Sequence, residues 1–157
     1  MAKNSIFPII IDTNVFDVFF NPSTEEQKQK YYPVSNCVSK CSGVIFYGGT
    51  TFTKEIGTKI QKKSAGFLVE AINKGKIKIL PKEEVDKQEK RIKKIEPSPD
   101  FDDAHIIACA IVGKCKVICT DDSRADKFIK RKELYPEKFK RPSIYRNQSH
   151  KHLLNDC

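Results

Sequence analysis

Phe101–Asp122 reads FDDAHIIACAIVGKCKVICTDD, and this stretch decides the architecture. Asp102 and Asp103 give it an acidic first turn, after which the segment through Val112 is apolar nearly all round, as in a buried helix. Lys116–Thr120 (KVICT) is short and rich in β-branched residues, the pattern of a strand covered on both faces, and Asp121 and Asp122 end it. A buried helix feeding a buried strand is half of a parallel α/β unit, so the rest of the chain should alternate in the same way.

It does. Upstream, Ser5–Asp12 (SIFPIIID) reads as a buried strand and Asn14–Phe20 as a helix closed by Asn21, Pro22 and Ser23. Thr24–Lys30 is polar, a short helix or a mobile loop. Gly43–Tyr47 (GVIFY) is a second strand stopped by Gly48 and Gly49. Phe52, Ile56 and Ile60 recur at helical spacing within Thr51–Lys62, and Ser64–Asn73 repeats the pattern before Gly75, a C-cap residue. Lys76–Leu80 alternates like an edge strand. Lys82–Ile95 is heavily charged, with Val85, Ile92 and Ile95 as its few apolar anchors, and predicts a solvent-facing helix. Downstream, Arg124–Arg131 predicts a helix, Ser143–Tyr145 a short strand and Gln148–Leu154 a terminal helix. The expected fold is a single three-layer α/β/α domain over 1–157, with a mostly parallel central sheet joined by right-handed crossovers. A basic C-terminal extension runs from about residue 133.

Of the 157 residues, 39% are apolar and 31% charged, enough apolar content for a packed core, and 29 Lys and Arg against 20 Asp and Glu leave a net charge of +9. That surplus suits a polyanionic partner, most often nucleic acid. No apolar run approaches the ~20 residues that span a bilayer, and Met1–Pro8 lacks the pattern of a signal peptide, so the expected location is cytoplasmic, with no membrane partner. Cys109, Cys115 and Cys119 lie in apolar surroundings and read as small hydrophobes. Cys37 and Cys41, with a later Cys or His, leave a zinc site open.

In open α/β sheets ligands bind beyond the carboxyl ends of the strands. Asp12 follows the first strand, Asp121 and Asp122 follow the strand at Lys116–Thr120, Asp102 and Asp103 open the buried helix, and Glu55 lies one turn into the helix after Gly49. Each has an ordinary alternative: Asp12 and either Asp121 or Asp122 as helix caps, Asp102 and Asp103 as partners of a helix dipole, Glu55 as a surface residue. Their shared rim argues for more. Like charges at close range repel, and a hard divalent cation such as Mg²⁺ or Mn²⁺ reverses that repulsion. The basic residues gather elsewhere: Lys59–Lys94 and Lys114–Lys151 each carry twelve Lys and Arg against five Asp and Glu. The stretches that contain Asp12, Glu55, Asp102 and Asp103 are net acidic.

IIIDTNVF (Ile9–Phe16), Glu55 within TKEI, DDAHIIACA (Asp102–Ala110) and VICTDDSRADKF (Val117–Phe128) together resemble the PIN domain, the metal-dependent nuclease fold of VapC-type toxins and many RNA-processing proteins. The resemblance implies metal ligation by Asp12, Glu55, Asp103 and Asp122. Asp126 is an accessory acid. Asn14 and Thr120 are expected to hold the first and last carboxylates by hydrogen bonds, with Asp102 and Asp121 flanking. It further implies hydrolysis of RNA phosphodiester bonds with one or two Mg²⁺ or Mn²⁺ ions, a toxin's role beside a protein antitoxin, and a possible homodimer. His105, within the apolar helix, is expected to be structural. Two alternatives stand beside this: a non-catalytic RNA-binding or scaffold protein on the same fold, and a phosphotransferase with Asp12 as nucleophile. The latter usually needs a second acid where Asn14 stands. Tyr32–Ser42 and the basic tail after Lys132 belong to no motif.

Overall fold

The computed structural model describes residues 5–157. Five strands, β1 (Phe7–Ile11), β2 (Gly43–Gly48), β3 (Ile77–Leu80), β4 (Val117–Cys119) and β5 (Ser143–Tyr145), form one sheet in the order β3-β2-β1-β4-β5. Every neighbouring pair is parallel. All residues of β1, β2 and β4 are buried, so both faces of the central strands are covered, the property their unbroken apolar runs predict. Among the described residues no helix is long and apolar enough to cross a membrane.

The helices are α1 (Thr13–Phe20), α2 (Glu25–Lys40), α3 (Thr50–Lys59), α4 (Lys62–Asn73), α5 (Lys82–Ile95), α6 (Ala104–Gly113) and the short α7 (Asp126–Ile129). Three 3-10 turns, Ser123–Ala125, Lys132–Leu134 and Gln148–Leu154, complete the chain. Gly75, at φ +72°, sits just past α4, where its N–H bonds Ile72 O and that of Lys76 bonds Ala71 O. This paired closure needs a left-handed residue at that point, so the predicted glycine cap is realised. Gly49, at φ +85°, turns the chain from β2 into α3, and a Cβ there would meet Val85 at 2.6 Å.

Three expectations are corrected. The first concerns Thr24–Lys30, which opens the sixteen-residue helix α2 and runs through Pro33. Proline has no N–H to give the carbonyl four residues back, and that carbonyl, Gln29 O, accepts from Gln148 Nε2 at 2.7 Å. The next, Lys30 O, accepts from Tyr145 OH at 2.8 Å. The helix therefore survives its proline because the far end of the chain supplies donors. Second, α5 is no purely solvent-facing helix: Val85, Glu89 and Ile92 are buried, and it packs along α6. Glu89 is satisfied there by Thr51 Oγ1 at 2.6 Å. Third, Arg124–Arg131 is split between a 3-10 turn and α7, and Gln148–Leu154 is a 3-10 turn throughout.

Cysteine chemistry also differs from expectation. Cys37 and Cys157 form a disulfide, with Cα atoms 5.9 Å apart, which removes Cys37 from any zinc site. Among the described residues no three His, Cys, Asp or Glu side chains stand close enough to cage a metal ion as they are. Cys109, Cys115 and Cys119 are buried thiols, as their apolar surroundings predict.

Candidate metal site at the carboxyl rim

The strand order reverses direction between β1 and β4, which places a crevice beyond their carboxyl ends. Ile11 pairs with Cys119, so Asp12 and Thr120 emerge side by side, and the Asp12 N–H bonds Cys119 O at 2.9 Å. Above them lies a hollow of about 310 Å³ lined by Asp12, Glu55, Asp103 and Asp122, the four expected ligands. Asn14 and Asp102 also line it. Asp17, Thr13 and Lys59 do too, and sequence reasoning had missed them. Two were findable: Thr13 stands beside Asp12, and Lys59 lies one helical turn beyond Glu55.

Asp12 is 5% exposed and occupies the N-cap position of α1, yet its carboxylate does not cap that helix. It accepts instead from the fully buried Thr120 hydroxyl at 2.9 Å. Burial pushes its pKa up, and the hydrogen bond from Thr120 only partly counters this. Asp103 likewise sits at the N-cap of α6 without capping it. Burial first, then the charges of Asp12 and Asp102, push its carboxyl up to about 7. These two acids thus lack the compensation that helix capping would have given.

Glu55 is held differently. Burial raises its pKa, but a hydrogen bond and charge from His105, the Thr13 hydroxyl and Lys59 outweigh that and bring it down to about 2. The contacts are His105 Nε2 at 3.1 Å and Thr13 Oγ1 at 2.8 Å on Oε2, with Lys59 Nζ at 3.3 Å on Oε1. His105 is buried beneath the hollow, and its Nδ1 has no hydrogen-bond partner among the described residues. Nε2 is then the protonated nitrogen facing Glu55.

Asp122 combines a rim position with a cap. Its Oδ1 accepts from the Arg124 N–H and Nε, both at 3.0 Å, and Arg124 holds its pKa down. The Arg124 side chain is 83% exposed, so this partner is solvated and displaceable. Thr120 holds Asp12 through its side chain and meets Asp122 only at the backbone, whose N–H donates to Oγ1 at 3.2 Å. The Asn14 side chain makes no hydrogen bond to either carboxylate among the described residues, contrary to its expected role.

Two expected acids stand apart from the hollow. Asp126, expected as an accessory ligand, has both oxygens taken by Arg146, at 2.6 and 2.9 Å. Asp121 accepts from Tyr31 OH at 2.7 Å and Lys30 Nζ at 2.8 Å, fastening β4 to α2.

The sequence matches the family model of the PIN domain over residues 8–124. The chain belongs to the PIN domain family. No curated protein matches it in sequence. Among solved structures, a chain of VapBC2 from Rickettsia felis, bound to a DNA fragment from its promoter, superposes with a TM-score of 0.51 at 13% identity, covering 77% of this chain and 92% of that one. At that identity the likeness is one of fold. The PIN match stops two residues after Asp122 and leaves the tail from residue 125 outside it.

As a donor set, the PIN hollow fits a hard divalent ion: apart from Lys59 its charged groups are carboxylates, and burial, helped by neighbouring carboxylate charge, raises the pKa of two of them, a cost that a cation would offset. Asp12, Glu55, Asp103 and Asp122 would hold it, with Asp122 released from Arg124.

Proposed function

We infer that this PIN protein is a divalent-metal-dependent endoribonuclease that hydrolyses RNA phosphodiester bonds in the acidic hollow, as a cytoplasmic toxin with a protein antitoxin. One observation carries the reading: in a chain of charge +9, folding gathers four separate carboxylates onto one open hollow and leaves Asp12 and Asp103 without cationic partners. A bound Mg²⁺ or Mn²⁺ supplies Lewis-acid stabilisation of charge on the phosphate oxygens. The chain's own part is positioning. Thr120 orients Asp12, while His105 and Thr13 fix Glu55 from below. Lys59, on the rim, offers a cation to the substrate backbone. The proposal of an antitoxin rests on the VapBC2 likeness and on an apolar hollow of about 410 Å³ that includes Phe19, Phe20, Val38 and Phe67.

The test is cleavage of single-stranded RNA with Mg²⁺ or Mn²⁺ against chelator. Asp12→Asn is expected to lose more than about 100-fold, the upper end of what a mere supporting partner of a metal ligand costs. Cleavage that is unchanged in Asp12→Asn, or indifferent to chelator, refutes the assignment. That among the described residues no three of these donors stand close enough to cage an ion favours a second reading, RNA binding without turnover. Tight, salt-dependent RNA binding with no product at any Mg²⁺ or Mn²⁺ concentration would select it.

A further inference from the structure

A hollow of about 730 Å³ lies on the other side of the turn Ser123–Ala125 from the acids. Its wall is built by the tail beyond the PIN match: Lys130, Phe139, Lys140, Arg141, Arg146 and His150 line it. Its one lining carboxylate, Asp126, is neutralised by Arg146. Among the described residues Lys130, Lys140 and Arg141 pair with no carboxylate, so the hollow keeps a surplus of positive charge.

The cations are also placed. Arg141 donates to Lys130 O, which fixes its guanidinium at the rim. Arg146 is held by Asp126 and by Thr120 O at 3.2 Å, so it joins this hollow to the end of β4. The Arg146 N–H donates to His150 Nδ1 at 3.1 Å, which puts the imidazole proton on Nε2. Phe139 is half-buried and stacks on Tyr135, centroids 5.7 Å apart and rings 12° from parallel. A positive groove with a supported aromatic face is the combination that holds single-stranded nucleic acid, cations on the phosphates and ring against a base.

We propose that this tail-built hollow is a docking site for single-stranded RNA, holding the strand by its phosphates and one stacked base beside the acidic hollow. The inference rests on the reading of the protein as one that acts on RNA. Asp122 and Asp126, one at each hollow, are four residues apart along 3-10 and α-helical backbone, which at about 2 Å per residue separates them by roughly 8 Å. One strand can therefore engage both. An acidic protein segment would meet the cations equally well, but its carboxylates make no use of the Phe139 face, whereas every nucleotide brings a base to stack with its phosphate.

The experiment measures binding of a fluorescein-labelled single-stranded RNA of mixed sequence in EDTA, where no cleavage occurs, at several salt concentrations. The double variant Lys130→Ala, Lys140→Ala removes two exposed side chains and is expected to raise Kd about tenfold and to flatten the slope of log Kd against log salt by about 1.4, near 0.7 for each lost phosphate contact. Phe139→Ala is expected to raise Kd at least about fivefold with the slope unchanged. The control Lys90→Ala, Lys94→Ala removes the same charge from α5 and should shift Kd by less than about twofold. Equal weakening by tail and control variants overturns the proposal, as does an unchanged Kd in the tail variants. Poly-glutamate that binds the hollow where RNA does not also overturns it. Binding as described with no turnover would remove only the hydrolytic reading. Cleavage whose KM ignores the tail variants would remove only this one.

Discussion

Two hollows flank the short turn Ser123–Ala125, and they are built on opposite electrostatic plans. On one side Asp12 and Asp103 are left without cationic partners, so their proton affinity climbs. On the other side the acid, Asp126, is cancelled and the cations are left in surplus. Asp122 and Asp126 have the same side chain and nearly the same address, yet one lines the acid hollow with only an exposed arginine upon it and the other is locked by the half-buried Arg146. What a carboxylate does here is decided by which neighbour the fold supplies, and Thr120 divides the two territories. Its hydroxyl serves Asp12 and its carbonyl serves Arg146.

Thr120→Val cuts that division on one side only, because the carbonyl remains. It is expected to lower metal affinity and cleavage by about 10- to 100-fold while RNA binding in EDTA is unchanged. Isothermal titration with Mn²⁺ beside the RNA binding assay separates the two. Equal loss in both would mean that the hollows are not independent.

Proton uptake sharpens the same contrast. Asp103 has its pKa raised to about 7, so below that pH a metal must displace its proton. Metal affinity should fall about tenfold for each pH unit below 7 and level off above it. For the metal-free protein the sign is opposite. A carboxyl whose folded pKa is raised binds its proton more tightly folded than unfolded, so thermal stability should rise as pH falls from 8 through 7 toward 5. A flat profile in both measurements would show that Asp103 is not crowded by its neighbours.

The smallest expected effect belongs to Arg124→Ala. Losing an exposed partner lets the Asp122 pKa return toward its ordinary value and frees the carboxylate, so Mn²⁺ affinity should improve by only about two- to fivefold. A loss of affinity instead would show that Arg124 positions Asp122 for its ligand.

Much of this was legible in the chain before folding. Ile9–Ile11 and Val117–Cys119 announce buried parallel strands through unbroken β-branched runs, and a parallel sheet fixes which rim receives Asp12 and Asp122. The four expected acids line one hollow at that rim. What stayed hidden depends on distant partners. Asp126 was expected as an accessory acid, and nothing near it in sequence shows that Arg146, twenty residues on, occupies both of its oxygens. Thr24–Lys30, expected only as a short helix or a mobile loop, continues through Pro33 to Lys40, and the donor that Gln29 O loses to the proline comes from Gln148. His105 was correctly read as lying in an apolar helix, but the reach of its Nε2 to Glu55 is set by the packing of α3 against α6.

The repair of α2 at Pro33 also orders events in time. A chain still leaving the ribosome contains the proline long before it contains Gln148, and until then Gln29 must turn its carbonyl to water. The donor that closes the gap at Pro33 is therefore made more than a hundred positions after the break it mends, on the same helix whose Tyr31 and Lys30 hold Asp121.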